Sequence, residues 1–320
     1  MILGGEQDCD ASRRVQGIGS ESAGMAGIGS GGRVGWHGAT GYYSGRDLAA
    51  GWVQAARVSE AASLQHRFGG IARLYGQPAL ERFLTARVAI IGIGGVGSWA
   101  VEALARSGVG HLTLVDLDEI CVSNVNRQLH AMDGQIGRQK TEAMAERVRA
   151  IHPGCEVAVV QAFFNARTAA TILDEGFDVL LDAIDSTRHK ALLLAECRQR
   201  GIFAVTCGGA GGRRDPTRIR VADLAHSGKD PLLLQLRRCL RNDHGFPKVP
   251  QHEDPVALGI DAVFSDEPPV YAQCDGSVSH ARPEAAEARL NCASGLGTAS
   301  HVTACFGLIA AGRVLERLAK

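Results

Sequence analysis

Residues 90–98 read IIGIGGVGS, an apolar run that breaks into a glycine-rich turn. Gly92 permits a tight turn after the run, and Gly97 lets the following helix pack closely on the strand. Gly94 and Gly95 leave the backbone open to phosphate oxygens, and the N–H groups at the start of the helix face the anion. The stretch therefore predicts a nucleotide site, and by itself it suits NAD, FAD and ATP equally.

Strand-like and helical segments alternate from this point onward. The β-branched run ARVAIIG at 86–92 predicts a buried strand, and SWAVEALARSG at 98–108 has helical spacing. Further strands are predicted at 111–116, 155–162, 177–185 and 202–209, and further helices at 137–151 and 188–201. This alternation predicts an α/β, Rossmann-like and mostly parallel sheet with helices on both faces, whose ligands bind beyond the carboxyl ends of the strands.

The C-terminal part of the chain is predicted to be less regular. The stretch 242–290 is rich in Pro, Asp and Glu, and we expect a long crossover loop there with a short strand near PVYAQC at 269–274. Residues 298–318 have helical spacing, but their apolar run is too short to span a bilayer before Arg313 interrupts it. We expect a core or dimer-interface helix there, with peripheral membrane contact as the alternative.

The composition changes sharply near residue 60. Residues 1–59 are crowded with Gly, Ser and Ala and carry few large apolar side chains. Such a composition buries too little surface to offset the entropy of ordering, so residues 1–59 are predicted to be a disordered Gly/Ser-rich extension. The folded domain is predicted to comprise residues 60–320.

Charge and cysteine content narrow the class of protein. The chain has 34 Lys and Arg against 34 Asp and Glu, which excludes the overall basic field of a dedicated nucleic-acid coat protein. Any anionic partner must therefore be held by local patches. The nine cysteines include no C-x-x-C pair, which argues against a zinc ribbon and is typical of reduced thiols in a cytoplasmic protein.

Three polar motifs help to decide between NAD, FAD and ATP, which the glycine turn alone leaves open. They are VDLDEICVSNVNRQLH at 115–130, GRQK at 137–140 and DAID at 182–185. Cleavage of ATP between its α and β phosphorus atoms needs cations around the departing charge, whereas hydride transfer does not, and Arg127 and Lys140 are the candidates. Asp116 is placed to bind a ribose.

The carboxylates of DAID, Asp182 and Asp185, are predicted to supply a magnesium ligand at the same edge of the sheet. Two alternatives stay open for single residues in these motifs. Arg127 is also compatible with a solvated surface arginine. Asp185 is also compatible with the N-cap of the next helix.

In combination and in this order, the motifs resemble the adenylating domain of the ubiquitin-activating-enzyme-like superfamily. The resemblance implies that ATP and Mg²⁺ activate a carboxylate as its acyl-adenylate, with release of pyrophosphate. It implies that Asp185 binds Mg²⁺. It further implies a nucleotide site made of Gly92, Gly94, Gly95, Gly97, Ser98, Asp116, Asp118, Asn124, Arg127 and Lys140.

Residues 64–318 resemble one branch of this superfamily, the tRNA threonylcarbamoyladenosine dehydratases. The resemblance rests on HRFGGIARLYG at 66–76, TCGGAGGRRDPTRIRVADLA at 206–225, the DPLLLQLRRCLR helix from residue 230 and NCASGLG at 291–297. It implies ATP-dependent cyclisation of the modified adenosine beside the anticodon, in which an oxygen of the urea attacks the activated carboxylate. The alternative is an activator of a ubiquitin-like sulfur-carrier protein, but the two C-x-x-C pairs usual in those enzymes are absent.

The resemblance also implies partners. A homodimer is expected, in which Arg67 or Arg73 reaches the ATP of the other subunit, the alternative being a surface arginine stacked on Phe68 or Tyr75. A cysteine desulfurase or a sulfur acceptor is a further expected partner. Modified tRNA is the expected substrate, and its candidate cationic contacts are Arg213, Arg214, Arg218, Arg220, Arg237, Arg238, Arg241 and Lys248.

Overall fold

A seven-stranded sheet lies at the centre of the fold, in the order β3-β2-β1-β4-β5-β7-β6. Its strands are β1 Arg87–Ile91, β2 His111–Val115, β3 Glu156–Val160, β4 Val179–Asp182, β5 Phe203–Cys207, β6 Ile219–Asp223 and β7 Asp261–Ser265. Neighbouring strands pair in parallel, except that β6 runs antiparallel to β7. The predicted α/β class with a mostly parallel sheet is therefore confirmed.

The computed structural model describes residues 60–248, 254–273, 275–282 and 296–320. The predicted extension at 1–59 lies outside these residues, so its predicted disorder stays a prediction. Helices in the described ranges are α1 Glu60–Tyr75, α2 Gln77–Thr85, α3 Gly97–Arg106, α4 Lys140–Ile151, α5 Ala169–Leu173, α6 Thr187–Arg200, α7 Pro231–Asp243 and α8 Ser300–Leu318.

The helices cover both faces of the sheet because successive side chains of a strand point to opposite sides. Val88 and Ile90 of β1 join the core built with α3, α4 and α8, whereas Ala89 and Ile91 join the core built with α5, α6 and α7. All four side chains are buried, as expected for a parallel sheet that is covered on both faces.

The prediction of a crossover loop at 242–290 was wrong in one respect. Residues 261–265 (DAVFS) form β7, which lies inside the sheet between β5 and β6. Five residues among prolines and acids give too short a pattern to identify a strand, and β7 forms because β5 and β6 both offer it hydrogen bonds. The short strand expected near 269–274 is present as β8 Tyr271–Ala272, which pairs with β9 Val278–Ser279.

Helix α8 is a core helix, as predicted. Val302, Phe306 and Val314 are buried against the sheet and α3. Gly307 lets α8 approach the start of α3 closely, since a Cβ there would lie 2.3 Å from the Val96 carbonyl oxygen. Within the described ranges, no helix has the length and apolar content that crossing a membrane requires.

Candidate nucleotide site

The strand order reverses between β1 and β4, and this reversal creates a crevice. From β1 the chain proceeds outward through β2 and β3, and from β4 it proceeds in the other direction. Ile91 pairs with both Val115 and Asp182 in the sheet register, so three strands end at one level. Gly92 and Asp116 follow directly after these strand ends, where ligands of open α/β sheets bind.

The four glycines of the turn have different surroundings. Gly92 has φ +92°, and a Cβ at Gly97 would lie 1.8 Å from the Gly92 carbonyl oxygen, so both positions exclude a side chain. Gly94 and Gly95 instead line the crevice. In the described part of the chain, the N–H groups of Gly94, Gly95 and Val96 have no hydrogen-bond acceptor. These N–H groups are therefore available to an anion.

Asp116 binds the turn itself. Its Oδ2 accepts a hydrogen bond from the Ile93 N–H at 2.7 Å, and its Oδ1 accepts one from the Asp118 N–H at 2.9 Å. A carboxylate has about four lone-pair sites, so each oxygen keeps acceptor capacity for a ribose hydroxyl. The ribose contact of Asp116 stays a prediction.

Lys140 and Asp118 form an ion pair at the mouth of the crevice. Lys140 Nζ lies 2.6 Å from Asp118 Oδ2, with the Lys140 side chain buried and that of Asp118 half exposed. The Lys140 N–H also donates to the Asp118 carbonyl oxygen at 3.1 Å, which fixes the start of α4 beside the segment after β2. The two predicted nucleotide contacts thus form an ion pair with each other.

Arg127 lies directly over the glycine turn. Its methylene groups cover Gly95, where the Cγ is 3.3 Å from the place of a Cβ. Nη1 donates to the Ser123 carbonyl at 2.7 Å and to Asn126 Oδ1 at 2.9 Å. The Arg127 carbonyl accepts from Trp99 Nε1 at 3.1 Å, so backbone and side chain are both held. Arg127 is thus not a freely solvated arginine.

Asn124 and Ser98 hold the segment around Arg127 in place through hydrogen bonds to its backbone. Asn124 is buried, and its Oδ1 accepts from the Cys121 N–H at 3.0 Å, which leaves only its NH₂ group for a phosphate. Ser98 is fully buried, and its Oγ accepts from the Leu129 N–H at 3.3 Å. The Ser98 side chain therefore connects α3 to the Arg127 segment, and its contact with a nucleotide stays a prediction.

The two carboxylates of DAID differ in their surroundings. Asp182 is fully buried and contacts Lys190 Nζ at 2.9 Å, Thr206 Oγ1 at 2.7 Å and the Ile184 N–H at 3.0 Å. Asp185 is exposed and has no hydrogen-bond or ion-pair partner in the described part of the chain. Ser186 occupies the N-cap position of α6, so the alternative of Asp185 as N-cap does not hold.

Lys190 was missed by the sequence reasoning. Its side chain is fully buried, and its Nζ also donates to the Ile184 carbonyl oxygen at 2.9 Å. The available signal was its helical spacing, because Lys190 shares a face of α6 with the buried Leu194 and Cys197. A lysine in an apolar stripe requires a buried counterion, which here is Asp182.

Arg67 and Arg73, one of which is predicted to reach the ATP of the other subunit, also differ in their surroundings. Arg67 Nη1 donates to the Ile151 carbonyl oxygen at 3.0 Å, at the C-terminal end of α4. Arg73 is exposed, lies over Gly69, and has no hydrogen-bond or ion-pair partner among the residues that the structure describes. Phe68 packs on His152, and Tyr75 packs on Phe83, so the stacking alternative finds no support.

The candidate tRNA contacts fall into two groups. Several are committed within the protein: Arg213 is buried, Arg218 pairs with Asp266 at 2.7 Å, and Arg237 donates to the Ser227 carbonyl at 2.7 Å. Others are also bonded to the chain at the surface, namely Arg220 and Arg241. Among these candidates, Arg214, Arg238 and Lys248 are exposed and have no side-chain partner within the described residues.

Three buried cysteines are unsuited to act as nucleophiles, and the described residues form no metal cage. Burial raises the pKa of Cys155 to about 11 and the pKa of Cys197 and of Cys207 to about 12. At neutral pH these thiols are protonated and unreactive. In the described ranges, no group of three or more His, Cys, Asp or Glu side chains is close enough to enclose a metal ion.

Comparison with known proteins agrees with this geometry. The model of the ThiF family matches residues 69–319. A tRNA threonylcarbamoyladenosine dehydratase of Haemophilus influenzae is 47% identical over 256 residues, which cover 80% of this chain and 94% of that protein. The dehydratase of Escherichia coli K12 is 48% identical over 255 residues, which cover 79% of this chain and 94% of that protein.

Solved structures give the same result. The structure of the E. coli tRNA N6-threonylcarbamoyladenosine dehydratase in complex with ATP aligns with a TM-score of 0.70 and 44% identity, over 82% of this chain and 96% of that one. By contrast, the molybdopterin-synthase adenylyltransferase of E. coli is 35% identical over 122 residues, which cover 38% of this chain and 47% of that protein. The chain belongs to the ThiF family, and within it to the branch of the tRNA threonylcarbamoyladenosine dehydratases.

Proposed function

We propose that this protein uses ATP to remove one water from threonylcarbamoyladenosine in tRNA. The observation that carries the proposal is the set of free N–H groups at Gly94, Gly95 and Val96, with Arg127 over Gly95 and the Lys140–Asp118 pair next to Asp116. Such a set suits a triphosphate that is cleaved. The similarity to the dehydratases covers almost their whole length, which identifies the carboxylate that is activated.

The chemistry takes two steps. The threonyl carboxylate attacks the α-phosphorus of ATP, and pyrophosphate leaves as the acyl-adenylate forms. The urea group of the same nucleoside then attacks the acyl carbon, a five-membered ring closes, one proton is lost and AMP leaves. Because both reacting groups belong to one nucleoside, proximity supplies much of the rate, and no nucleophile from the enzyme is required.

The phosphate side of the crevice stabilises the departing charge. The N–H groups of the glycine turn bind the phosphates, and the uncommitted nitrogens of Arg127 donate to them. When a phosphate enters, Lys140 exchanges its bond to the half-exposed Asp118 for one to the phosphate. Fixed donors and cations at the place where charge develops lower the barrier to cleavage.

The surroundings of Asp185 fit a magnesium ion. Its carboxylate is exposed at the carboxyl edge and lacks a partner among the described residues. Mg²⁺ is usually held by one or two carboxylates together with phosphates and water, so a full protein cage is not needed. When bound, Mg²⁺ neutralises phosphate charge. Asp182 does not serve this purpose, because Lys190 and Thr206 already occupy its Oδ2 and the Ile184 N–H occupies its Oδ1.

The proposed working form is a cytoplasmic homodimer in which Arg73 of each copy serves the site of the other. Arg67 is committed to the end of α4, whereas Arg73 is an exposed cation in the N-terminal segment from which the superfamily supplies this arginine. An arginine at cleaved phosphates stabilises the charge of the transition state. The sulfur-related partner stays a prediction without support from the geometry.

The experiment measures pyrophosphate release from ATP and Mg²⁺ in four reactions. They contain tRNA with threonylcarbamoyladenosine, the same tRNA without the modification, a sulfur-carrier protein ending in Gly-Gly, and no addition. Nucleoside mass spectrometry follows the product. We expect release only with modified tRNA and a nucleoside lighter by one water. Release with the Gly-Gly protein alone would instead identify a sulfur-carrier activator.

A further inference from the structure

His130 closes the NVNRQLH motif and lies beneath the glycine turn. Its side chain is buried, and Nε2 is 2.9 Å from the Ile93 carbonyl oxygen. Because a carbonyl oxygen only accepts, Nε2 carries the proton of this hydrogen bond. His130 is therefore a donor to the residue that separates Gly92 from Gly94.

The same residue is held from its other side. The Ile93 N–H donates to Asp116 Oδ2 at 2.7 Å, so the polar backbone groups of Ile93 are bound by two different segments. In a trans peptide the carbonyl and the next N–H point in opposite directions. Since the Ile93 carbonyl points to His130, the Gly94 N–H points away from it. This N–H has no acceptor in the described part of the chain.

His130 keeps one proton in this environment. Its Nδ1 is buried without a partner among the described residues, and Lys140 is nearby. Burial lowers the pKa of His130, and Lys140 lowers it further, although the bond to Ile93 and the charge of Asp116 act in the opposite sense. A second proton would place an unpaired N–H inside the protein. The ring therefore acts as a neutral donor.

We propose that His130 is a positioning residue for the nucleotide, which orients the Gly94 N–H toward a phosphate by holding the Ile93 carbonyl. It does not touch the nucleotide and acts only through the peptide between Ile93 and Gly94. The proposal rests on the proposed function in one respect, namely that the glycine turn binds ATP. The proposal assigns a role in nucleotide binding to His130, for which the sequence motif alone indicates none.

The test compares four variants by calorimetric titration with ATP and Mg²⁺. His130→Gln places an amide nitrogen as many bonds from the backbone as Nε2, so it retains the donor. His130→Leu removes it, and His130→Asn carries an amide that is one bond too short. The matched control is His152→Gln, since His152 is also buried with an unpartnered Nδ1 but packs on Phe68 at the end of α4.

We expect His130→Leu and His130→Asn to raise the Kd for ATP about tenfold, which corresponds to about 1.4 kcal/mol. The KM for ATP should rise with the Kd, and kcat should fall less, because an oriented N–H binds substrate and transition state alike. His130→Gln should keep the Kd within about threefold of the parent value, because the hydrogen bond to the Ile93 carbonyl oxygen is retained. His152→Gln should leave the Kd unchanged.

Thermal unfolding of the same samples separates binding from stability. Equal Kd values for His130→Gln and His130→Asn would overturn the proposal, because then the donor position does not matter. An equal loss of affinity in His152→Gln would also overturn it. Absence of ATP binding in the parent protein would overturn both proposals, whereas normal ATP binding without activity on modified tRNA would contradict only the proposed function.

Discussion

Two aspartate–lysine pairs lie at the carboxyl edge of the sheet and differ in burial. Asp182 and Lys190 are both fully buried at 2.9 Å, whereas Lys140 contacts an Asp118 side chain that is 52% exposed. A buried pair that loses one member leaves an uncompensated charge in the core, but a half-exposed pair separates at little cost. The first pair therefore fixes the strand end, and the second is available for ligand exchange.

Replacing the lysine of each pair by methionine should give the largest effects and tests the difference between the pairs directly. Lys140→Met should reduce pyrophosphate release about a thousandfold, because it removes a cation from the phosphates during cleavage. Its free energy of unfolding should change by about 1 kcal/mol or less, since Asp118 becomes solvated. Pyrophosphate release and urea denaturation measure the two effects. A variant that loses stability in proportion to activity would contradict the assignment of this pair.

Lys190→Met should show the opposite result. Asp182 would remain charged in the core, and we expect a loss of about 3–5 kcal/mol in the free energy of unfolding. The double variant Lys190→Met with Asp182→Asn removes the stranded charge and should recover part of that loss. Urea denaturation of both variants provides the measurement. If the single and double variants were equally unstable, the buried charge would not be the cause.

Asp185→Asn should weaken the response to magnesium about tenfold or more, because the amide is a poor ligand for this ion. Stability should not change, as the Asp185 carboxylate has no partner among the described residues. Titration of activity with MgCl₂ gives the measurement, and Glu175→Gln, at an exposed position on the opposite edge, is the control. A parent-like magnesium response would show that Asp185 does not bind the ion.

Arg73→Ala should lower activity about tenfold to a hundredfold, and Arg67→Ala should lower it less, because Arg67 is bonded to the Ile151 carbonyl oxygen whereas Arg73 has no partner among the described residues. Mixing Arg73→Ala with Lys140→Met tests whether the arginine acts across subunits. In a mixed dimer, the site of the Arg73→Ala subunit keeps its own Lys140 and receives Arg73 from the Lys140→Met subunit. This site is complete, so activity should return. Failure to recover activity in mixtures that are shown to contain mixed dimers would place Arg73 in its own subunit's site.

The smallest effect concerns the exposed cations that remain free for tRNA. Arg214→Ala should raise the KM for modified tRNA a few-fold and reduce its salt dependence by about one counterion, as expected for a phosphate contact. Arg218→Ala is the comparison, because Arg218 is already paired with Asp266. Activity at several salt concentrations measures both. Identical salt slopes for Arg214→Ala and the parent protein would remove Arg214 from the tRNA surface.

Local patterns predicted the parts of the fold that depend on neighbours in the chain. The glycine turn, the strands before and after it and the last helix were recognised because periodicity and glycine spacing are local properties. The strand β7 was missed, since five residues in a Pro-rich segment form a strand only when β5 and β6 lie on either side. The motif order also indicated ATP, because cations and carboxylates followed the turn.

The sequence by itself determined the class of sheet, the place of the nucleotide turn and the residue types available for cleaving ATP. Only the tertiary structure decided which member of each similar pair is free. Asp182 is occupied by Thr206 and Lys190, and Arg67 by the end of α4, whereas Asp185 and Arg73 have no partner in the described ranges. The physical reason is that a side chain's partners come from distant segments, so its availability depends on how those segments pack.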